Sequence, residues 1–263
     1  MKVGVLGCAG QLHAELQQNG LEPVCLARDD AERQVFAAAS VAVVDGMADF
    51  FEALDYPRTY VLDVELGEAI DRLIDEAYVH MEPGDIVADP SGSYWCDTLR
   101  RYRRMRHRSI YYVDVARMKR AEWSHFLVSG DRKGIDFARP VLERWAGSAS
   151  FLDVGGAGLA HYILMVEEAR ANIEAQARNE AALMMEAWPS RFDDDAIKEL
   201  FPLVERKTMG RAAWQLDDAL RLEAATPLMA QAVMLNLAEA LDDQTPSPPA
   251  PRVGGFQHPD EIL

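Results

Sequence analysis

The segment Gly4-Val5-Leu6-Gly7-Cys8-Ala9-Gly10-Gln11-Leu12 runs from an apolar stretch through small residues into a helical pattern. In a G-x-G-x-x-G turn the first glycine makes the bend, the second lets backbone amides approach a pyrophosphate, and the third lets helix pack on strand. Gly7 fills the first place, Ala9 the second and Leu12 the third. Leucine there would hold the helix off the strand unless the turn rearranges, so Gly7, Cys8, Ala9, Gly10, Gln11 and Leu12 suit either a nucleotide site or a Rossmann-type turn without one. Further on, Leu26-Ala27-Arg28-Asp29 stands where an acidic residue would accept the ribose hydroxyls of NAD. Arg28 would instead pair with a 2'-phosphate, which favours NADP over NAD, or it is a solvated arginine at a strand end.

A second group is Asp89-Pro90-Ser91-Gly92-Ser93-Tyr94-Trp95, which follows an apolar run. At the carboxyl edge of a parallel sheet Ser91 and Ser93 would reach a ligand, and the same residues suit a turn that starts a helix. Arg100, Arg101, Arg103, Arg104, Arg106 and Arg108 form a locally basic run that reads best as a solvated helix face pairing with the protein's own acids. The six histidines show no metal-ligand spacing and no metal site is expected, nor is there a G-x-S-x-G elbow or a P-loop. Cys8, at a helix start, is either a reactive thiol or a small packed side chain.

These groups need a scaffold, and the first half of the chain supplies one by alternating β-branched runs with helical patterns, the mark of strands joined by crossover helices. Strands are expected at Lys2 to Leu6, Pro23 to Leu26, Val41 to Val44, Thr59 to Val64, Asp85 to Ala88, Ile110 to Val115 and Ser124 to Ser129. Helices are expected at Gln11 to Gln18, Ala31 to Ala39 and Glu68 to Tyr78. From about Gly155 the pattern is helical only: Leu159 to Trp188, Asp193 to Leu200, Arg211 to Leu222 and Pro227 to Ala240. The fold class is therefore α/β, an N-terminal Rossmann-type, doubly wound, mainly parallel sheet over residues 1–154, followed by an all-α domain over 155–243. Gln-Thr-Pro-Ser-Pro-Pro-Ala-Pro, from Gln244 to Pro251, opens a linker and tail over 244–263.

The 263 residues carry 43 Asp and Glu against 27 Lys and Arg, a formal charge of -16. Such a balance argues against nucleic acid or an anionic membrane as partner. Three cysteines far apart, no long apolar span and no leader pattern point to a cytoplasmic protein.

Ordered along the chain, several landmarks resemble the 6-phosphogluconate dehydrogenase family in its shorter bacterial form. Met81-Glu82-Pro83-Gly84-Asp85-Ile86-Val87 is similar to L-E-P-G-D-I-V, and Asp89 to Tyr94 with Asp97, Arg100 and Arg101 resembles D-G-G-N-S-Y-Y-x-D-x-x-R-R. Tyr112-Val113-Asp114-Val115 is similar to Y-V-D-V-G, and Ser129-Gly130-Asp131 to G-G-D. Ala160 to Glu168 falls at G-H-F-V-K-M-V-H-N, and Gly210-Arg211 through Thr226-Pro227 follows the G-R-W and V-P pattern. The resemblance implies a homodimer joined through the helical domain, with each tail reaching the partner's site. There Arg252 and His258 would hold a substrate's anionic group, or else the tail is frayed.

The departures fall on the chemistry. Leu164 stands at the family's general-base lysine, and a leucine takes no proton. The acid glutamate falls at Ala171, with Glu174 three residues on, and Glu168 replaces an asparagine. Gly92 stands at another asparagine, and Ala116-Arg117-Met118-Lys119-Arg120 replaces a serine and glycines. At the cofactor loop Asp63 interrupts the apolar strand before Val64, and Glu65 stands at the proline. Usual oxidative decarboxylation of 6-phosphogluconate is therefore not expected.

The first expectation is an NADP-dependent oxidoreductase acting on a different small anionic metabolite. Its proton-transfer candidates are Glu168 and His161, and its substrate contacts are Ser91, Gly92, Ser93, Arg117, Lys119, Arg252 and His258. The alternative is a catalytically inactive member that binds a ligand, regulates or scaffolds. A third option is a non-redox enzyme using Cys8 or Glu168 in the same cleft.

Overall fold

The computed structural model describes residues 1–7, 12–186, 212–221 and 226–242. Strand β1 (Lys2–Leu6) is followed by α1 (Leu12–Gln18), β2 (Glu22–Leu26), α2 (Asp30–Ala38), β3 (Ala42–Val44), α3 (Met47–Glu52) and β4 (Thr59–Leu62). Then come α4 (Glu68–Tyr78), β5 (Ile86–Asp89), α5 (Trp95–Arg106), β6 (Tyr111–Lys119), β7 (Ser124–Gly130), α6 (Arg132–Ala146) and β8 (Ser150–Gly155). The long helix α7 (Leu159–Glu186) begins the helical part, in which α8 (Ala212–Arg221) and α9 (Pro227–Asp242) are also described.

The eight strands form one sheet in the order β3-β2-β1-β4-β5-β6-β7-β8. All neighbouring pairs are parallel except β6 with β7. Both faces are covered, which is why the central strands read as continuous apolar runs. On one face Leu16, Phe36, Leu142 and Trp145 from α1, α2 and α6 pack over Val5, Val61 and Val113. On the other, Phe50, Ile70, Ile74 and Met105 from α3, α4 and α5 cover Leu6, Leu62 and Tyr112. This is the Rossmann-type doubly wound fold expected from the alternating pattern.

Differences from the periodicity have local causes. Strand β4 stops at Leu62 rather than Val64: Asp63 still donates its N–H to Leu6 O at 2.7 Å, after which the chain leaves the sheet. Strand β6 continues past Val115 because Ala116 to Lys119 pair with Leu127 to Ser124 in an antiparallel hairpin. Elements α3, α6 and β8 lie where the pattern assigns none. Strand β8 shows mostly exposed side chains, Leu152 among them, so it carries little alternating signal. Helix α6 contains Pro140 yet persists, with Asp131 capping it through Lys133 N and the buried side chains of Ile135, Ala138, Val141, Leu142 and Trp145 holding its inner face.

The chain divides into two compact units, Met1–Met165 and Val166–Leu263. In the second, α8 packs against α9. The helix expected from Asp193 to Leu200, the linker from Gln244 and the tail residues Arg252 and His258 lie outside the described residues. No helix among the described residues is long and apolar enough to cross a membrane.

Candidate functional site

Strand order reverses between β1 and β4, and the carboxyl ends of strands at such a point splay apart to leave a crevice. A cleft of about 380 Å³ lies there, bordered by Leu12 and Glu15 of α1, Asp63 and Val64 after β4, Ser91 after β5, and Arg117 on β6. Gly7, at the end of β1, packs against Asp63 and Val64 of that border. Its φ is +98°, and a Cβ at this position would come within 2.3 Å of Asp63 O. Only glycine lets β1 end this close to the segment after β4. Cys8, Ala9, Gly10 and Gln11 lie outside the described residues.

The Ser91-Gly92-Ser93 loop is held from below. Asp89 ends β5 fully buried, accepting from Ser91 N at 2.9 Å and from the Tyr112 hydroxyl at 2.6 Å. Burial pushes its carboxyl up, but the charges of His161 and Arg101 and the bonds from Ser91 and Tyr112 outweigh that and hold it below the usual range. Gly92 has φ +64°. Ser93 is buried, shares a 2.7 Å hydrogen bond with Ser91 Oγ and accepts from Arg101 Nη1 at 2.8 Å. Arg101, 2% exposed, also forks onto Asp71 of α4, Nε to Oδ1 at 3.0 Å and Nη2 to Oδ2 at 3.1 Å. Burial would raise the Asp71 carboxyl, but the bonds from Arg101 and Arg100 prevail and lower it to about 2. So Ser91 borders the cleft, whereas Ser93 belongs to the scaffold beneath it.

Asp114, also fully buried, sits in the Tyr-Val-Asp-Val segment and caps α7. It accepts from Gly158 N at 2.9 Å, Ala160 N at 3.1 Å, His161 N at 3.3 Å and Ser129 Oγ at 2.5 Å. Burial raises its pKa against these bonds and the His161 charge. His161 follows directly and is 1% exposed. Its Nε2 lies 3.0 Å from Asp89 O, which can only accept, so Nε2 carries the proton; Nδ1 meets Thr98 Oγ1 at 2.8 Å. With both nitrogens engaged and no part in the cleft lining, the ring ties α7 to β5 and α5. That is a positioning part rather than proton transfer to a substrate.

Leu164, at the resemblance's lysine position, is partly buried against an apolar cluster of Ala116, Leu127 and Ala160, with Met118 beside it. The hairpin residues that replace the serine and glycines thus supply the apolar surroundings that a leucine fills. Glu168 lies on α7 in the second unit, half-buried. Glu174 forms an ion pair with Arg170, which also donates Nε to Glu167 at 2.9 Å. Lys119 is exposed at the end of β6, and Glu65 is exposed after β4. Neither borders the cleft.

Arg117 does border it, and its surroundings could not be read from the sequence. Its guanidinium pairs with Glu15 and lies over the Trp145 ring at 5.5 Å, while Trp145 Nε1 donates to the other Glu15 oxygen at 3.0 Å. No local motif marks Glu15 or Trp145, because the Glu15 and Arg117 partners stand 102 positions apart. Among the described residues no group of His, Cys, Asp and Glu is placed to hold a metal ion.

Residues 2–155 match the family described as the NAD binding domain of 6-phosphogluconate dehydrogenase. The chain is 22% identical to YqeC of Bacillus subtilis (strain 168), named for 6-phosphogluconate dehydrogenase, over 75% of this chain and 76% of that one. It is 28% identical to the decarboxylating 6-phosphogluconate dehydrogenase of Bacillus licheniformis, over 46% of this chain and 27% of that protein, so it spans a minor part of that enzyme's length. Its fold is similar to the structure of Mycobacterium tuberculosis 3-hydroxyisobutyrate dehydrogenase with L-serine, with a TM-score of 0.69 at 19% identity, covering 92% of this chain and 94% of that one.

Proposed function

We propose, from the premise that this chain belongs to the family of the NAD-binding domain of 6-phosphogluconate dehydrogenase, that it is an NADP-dependent oxidoreductase acting on a small anionic metabolite other than 6-phosphogluconate. The observation that carries the reading is the cleft at the strand-order reversal, bordered by both a serine and an arginine, with Gly7, which tolerates no side chain, packed against the Asp63 and Val64 that line it. Bound there, a nicotinamide would supply hydride acceptance or donation. Residues available to hold the dinucleotide are Gly7, Leu12 and Val64 along its length, with Arg28 at the end of β2 for a 2'-phosphate. Arg117 is the proposed contact for the substrate's carboxylate or phosphate, with Ser91 as a neutral donor beside it.

Leu164 argues against the family's usual decarboxylation, since nothing at that position can take the substrate's hydroxyl proton. Glu168, four residues on along the same helix, is the proposed proton-transfer group. Replacing it with Gln should abolish turnover and leave nucleotide binding intact; retained turnover would remove it from the mechanism. A homodimer through the helical unit is supported by the exposed apolar residues Leu220, Leu228 and Met234 on α8 and α9, and a monomeric mass in light scattering would overturn it. The wide spacing of Cys8, Cys25 and Cys96 along the sequence supports a cytoplasmic setting, which fractionation of the source cells would check.

Titration of the purified protein with NADPH and with NADH, followed by nicotinamide fluorescence or by heat, tests the central claim. Saturable micromolar binding is expected. A second reading, a ligand-binding member without hydride transfer, is supported by the way Leu164 is absorbed into the Ala116 and Leu127 cluster. Absence of binding by either nucleotide would decide for it.

A further inference from the structure

We infer that Glu32 sets the nucleotide preference of this chain by competing with a 2'-phosphate for the guanidinium of Arg28. The inference deepens the cofactor reading above and rests on it. Arg28 follows β2 about 20 residues after the Gly7 turn, the place where a dinucleotide-binding domain meets the adenosine ribose. The strand end is fixed there by Ala27 N donating to Val44 O at 3.0 Å.

Both carboxylate oxygens of Glu32 are committed to Arg28. Oε1 accepts from Arg28 Nε at 2.8 Å and from Nη2, and Oε2 accepts from the Arg28 backbone N–H at 2.9 Å. Glu32 is itself anchored, its backbone N–H donating to Asp29 Oδ1, the cap of α2, at 2.8 Å. The Glu32 side chain is tucked in, 15% exposed, while that of Arg28 is 59% exposed. The bond from Arg28 is the main cause that keeps the Glu32 carboxyl below its usual range, so it is charged at neutral pH. Arg33, on α2, pairs with Asp45 beyond β3.

A 2'-phosphate is recognised best by two parallel N–H donors of one guanidinium fork. Here the Nε and Nη2 edge of Arg28 already carries a carboxylate, and a phosphate approaching it meets a like charge. A 2'-hydroxyl has no such conflict, because it can donate to a carboxylate. Arg28 therefore offers the phosphate contact and Glu32 withholds it, leaving NADP only a narrow advantage over NAD.

The test is titration of wild type, Glu32→Gln, Arg28→Ala and the double variant with NADPH and NADH, at low and at high salt. Glu32→Gln should tighten NADPH about 10-fold and change NADH by less than about 2-fold. The gain should vanish when Arg28 is also alanine and shrink at high salt. Equal changes for both nucleotides, or a gain that survives Arg28→Ala, would overturn the role of Glu32 while leaving the cofactor reading in place. Failure of wild type and all variants to bind either nucleotide would overturn the cofactor reading and this inference together. Glu32→Ala, which removes the carboxylate without adding an amide, should give the same direction and guards against a local effect of glutamine.

Discussion

The scaffold around Asp89, Asp114, Arg101 and His161 and the rim that carries Arg28, Glu32, Glu15 and Arg117 both consist of ionisable side chains near the carboxyl edge of one sheet, yet they are built for opposite ends. In the first, each named group is almost fully buried and bonded to partners from other elements, so that β5, α5, β6 and the start of α7 share one network. In the second, arginines that are 45% and 59% exposed each pair with a carboxylate. Burying a charge is costly unless its partners are complete, so a buried network specifies one arrangement. An exposed pair contributes little to stability and is easily exchanged for a ligand. The same residue types therefore serve as frame in one region and as receptor in the other.

The comparison is broken most strongly at Arg101. Arg101→Ala should destabilise the protein by about 3–5 kcal/mol in urea denaturation, because it removes a buried guanidinium together with its bonds to Asp71 and Ser93, leaving Asp71 only the exposed Arg100. A loss below about 1 kcal/mol would mean that the scaffold is no more coupled than the rim.

A smaller effect is expected from pH. In the folded state Asp71 titrates at about 2, against an ordinary value of 3.8. A carboxyl lowered in this way contributes stability above its unfolded pKa and loses it as pH falls from about 4 toward 2. With its side chain 29% exposed, the discounted contribution is on the order of 1–2 kcal/mol. Asp71→Asn should flatten the acid limb of the stability profile by that amount, and an unchanged limb would refute the assignment.

The smallest stability effect belongs to the rim. Arg117→Ala should cost less than about 1 kcal/mol, yet weaken binding of the small anionic substrate about 10-fold, the equivalent of about 1.4 kcal/mol. If it instead unfolds the protein as Arg101→Ala does, the division between frame and receptor fails.

The sequence makes the scaffold's outline legible and its wiring invisible. Lys2 to Leu6, the Glu68 to Tyr78 helix and the turn at Glu82 to Asp85 declare themselves, since apolar period and Gly or Pro chemistry act over a few residues. The Asp-Pro-Ser-Gly-Ser segment is also visible as a sheet-edge motif, but not that Ser91 turns to the cleft while Ser93 is locked under Arg101. His161 looks like a candidate for proton transfer in one dimension and proves to be a tie between elements. Leu164 reads as a missing base, and only packing shows the Ala116, Leu127 and Met118 surroundings that accompany the loss.

What the residues determined by themselves is the alternation of β1 to β7 with crossover helices, the need for glycine at Gly7 and the acidic charge balance, all fixed by local sterics and side-chain type. What only the tertiary structure decided is which charges meet. Thr98 finds His161 across 63 positions, Asp114 caps Gly158 across 44, and Glu15 holds Arg117 across 102. Such pairings arise where the sheet brings distant segments to one edge, and local propensity carries no record of them.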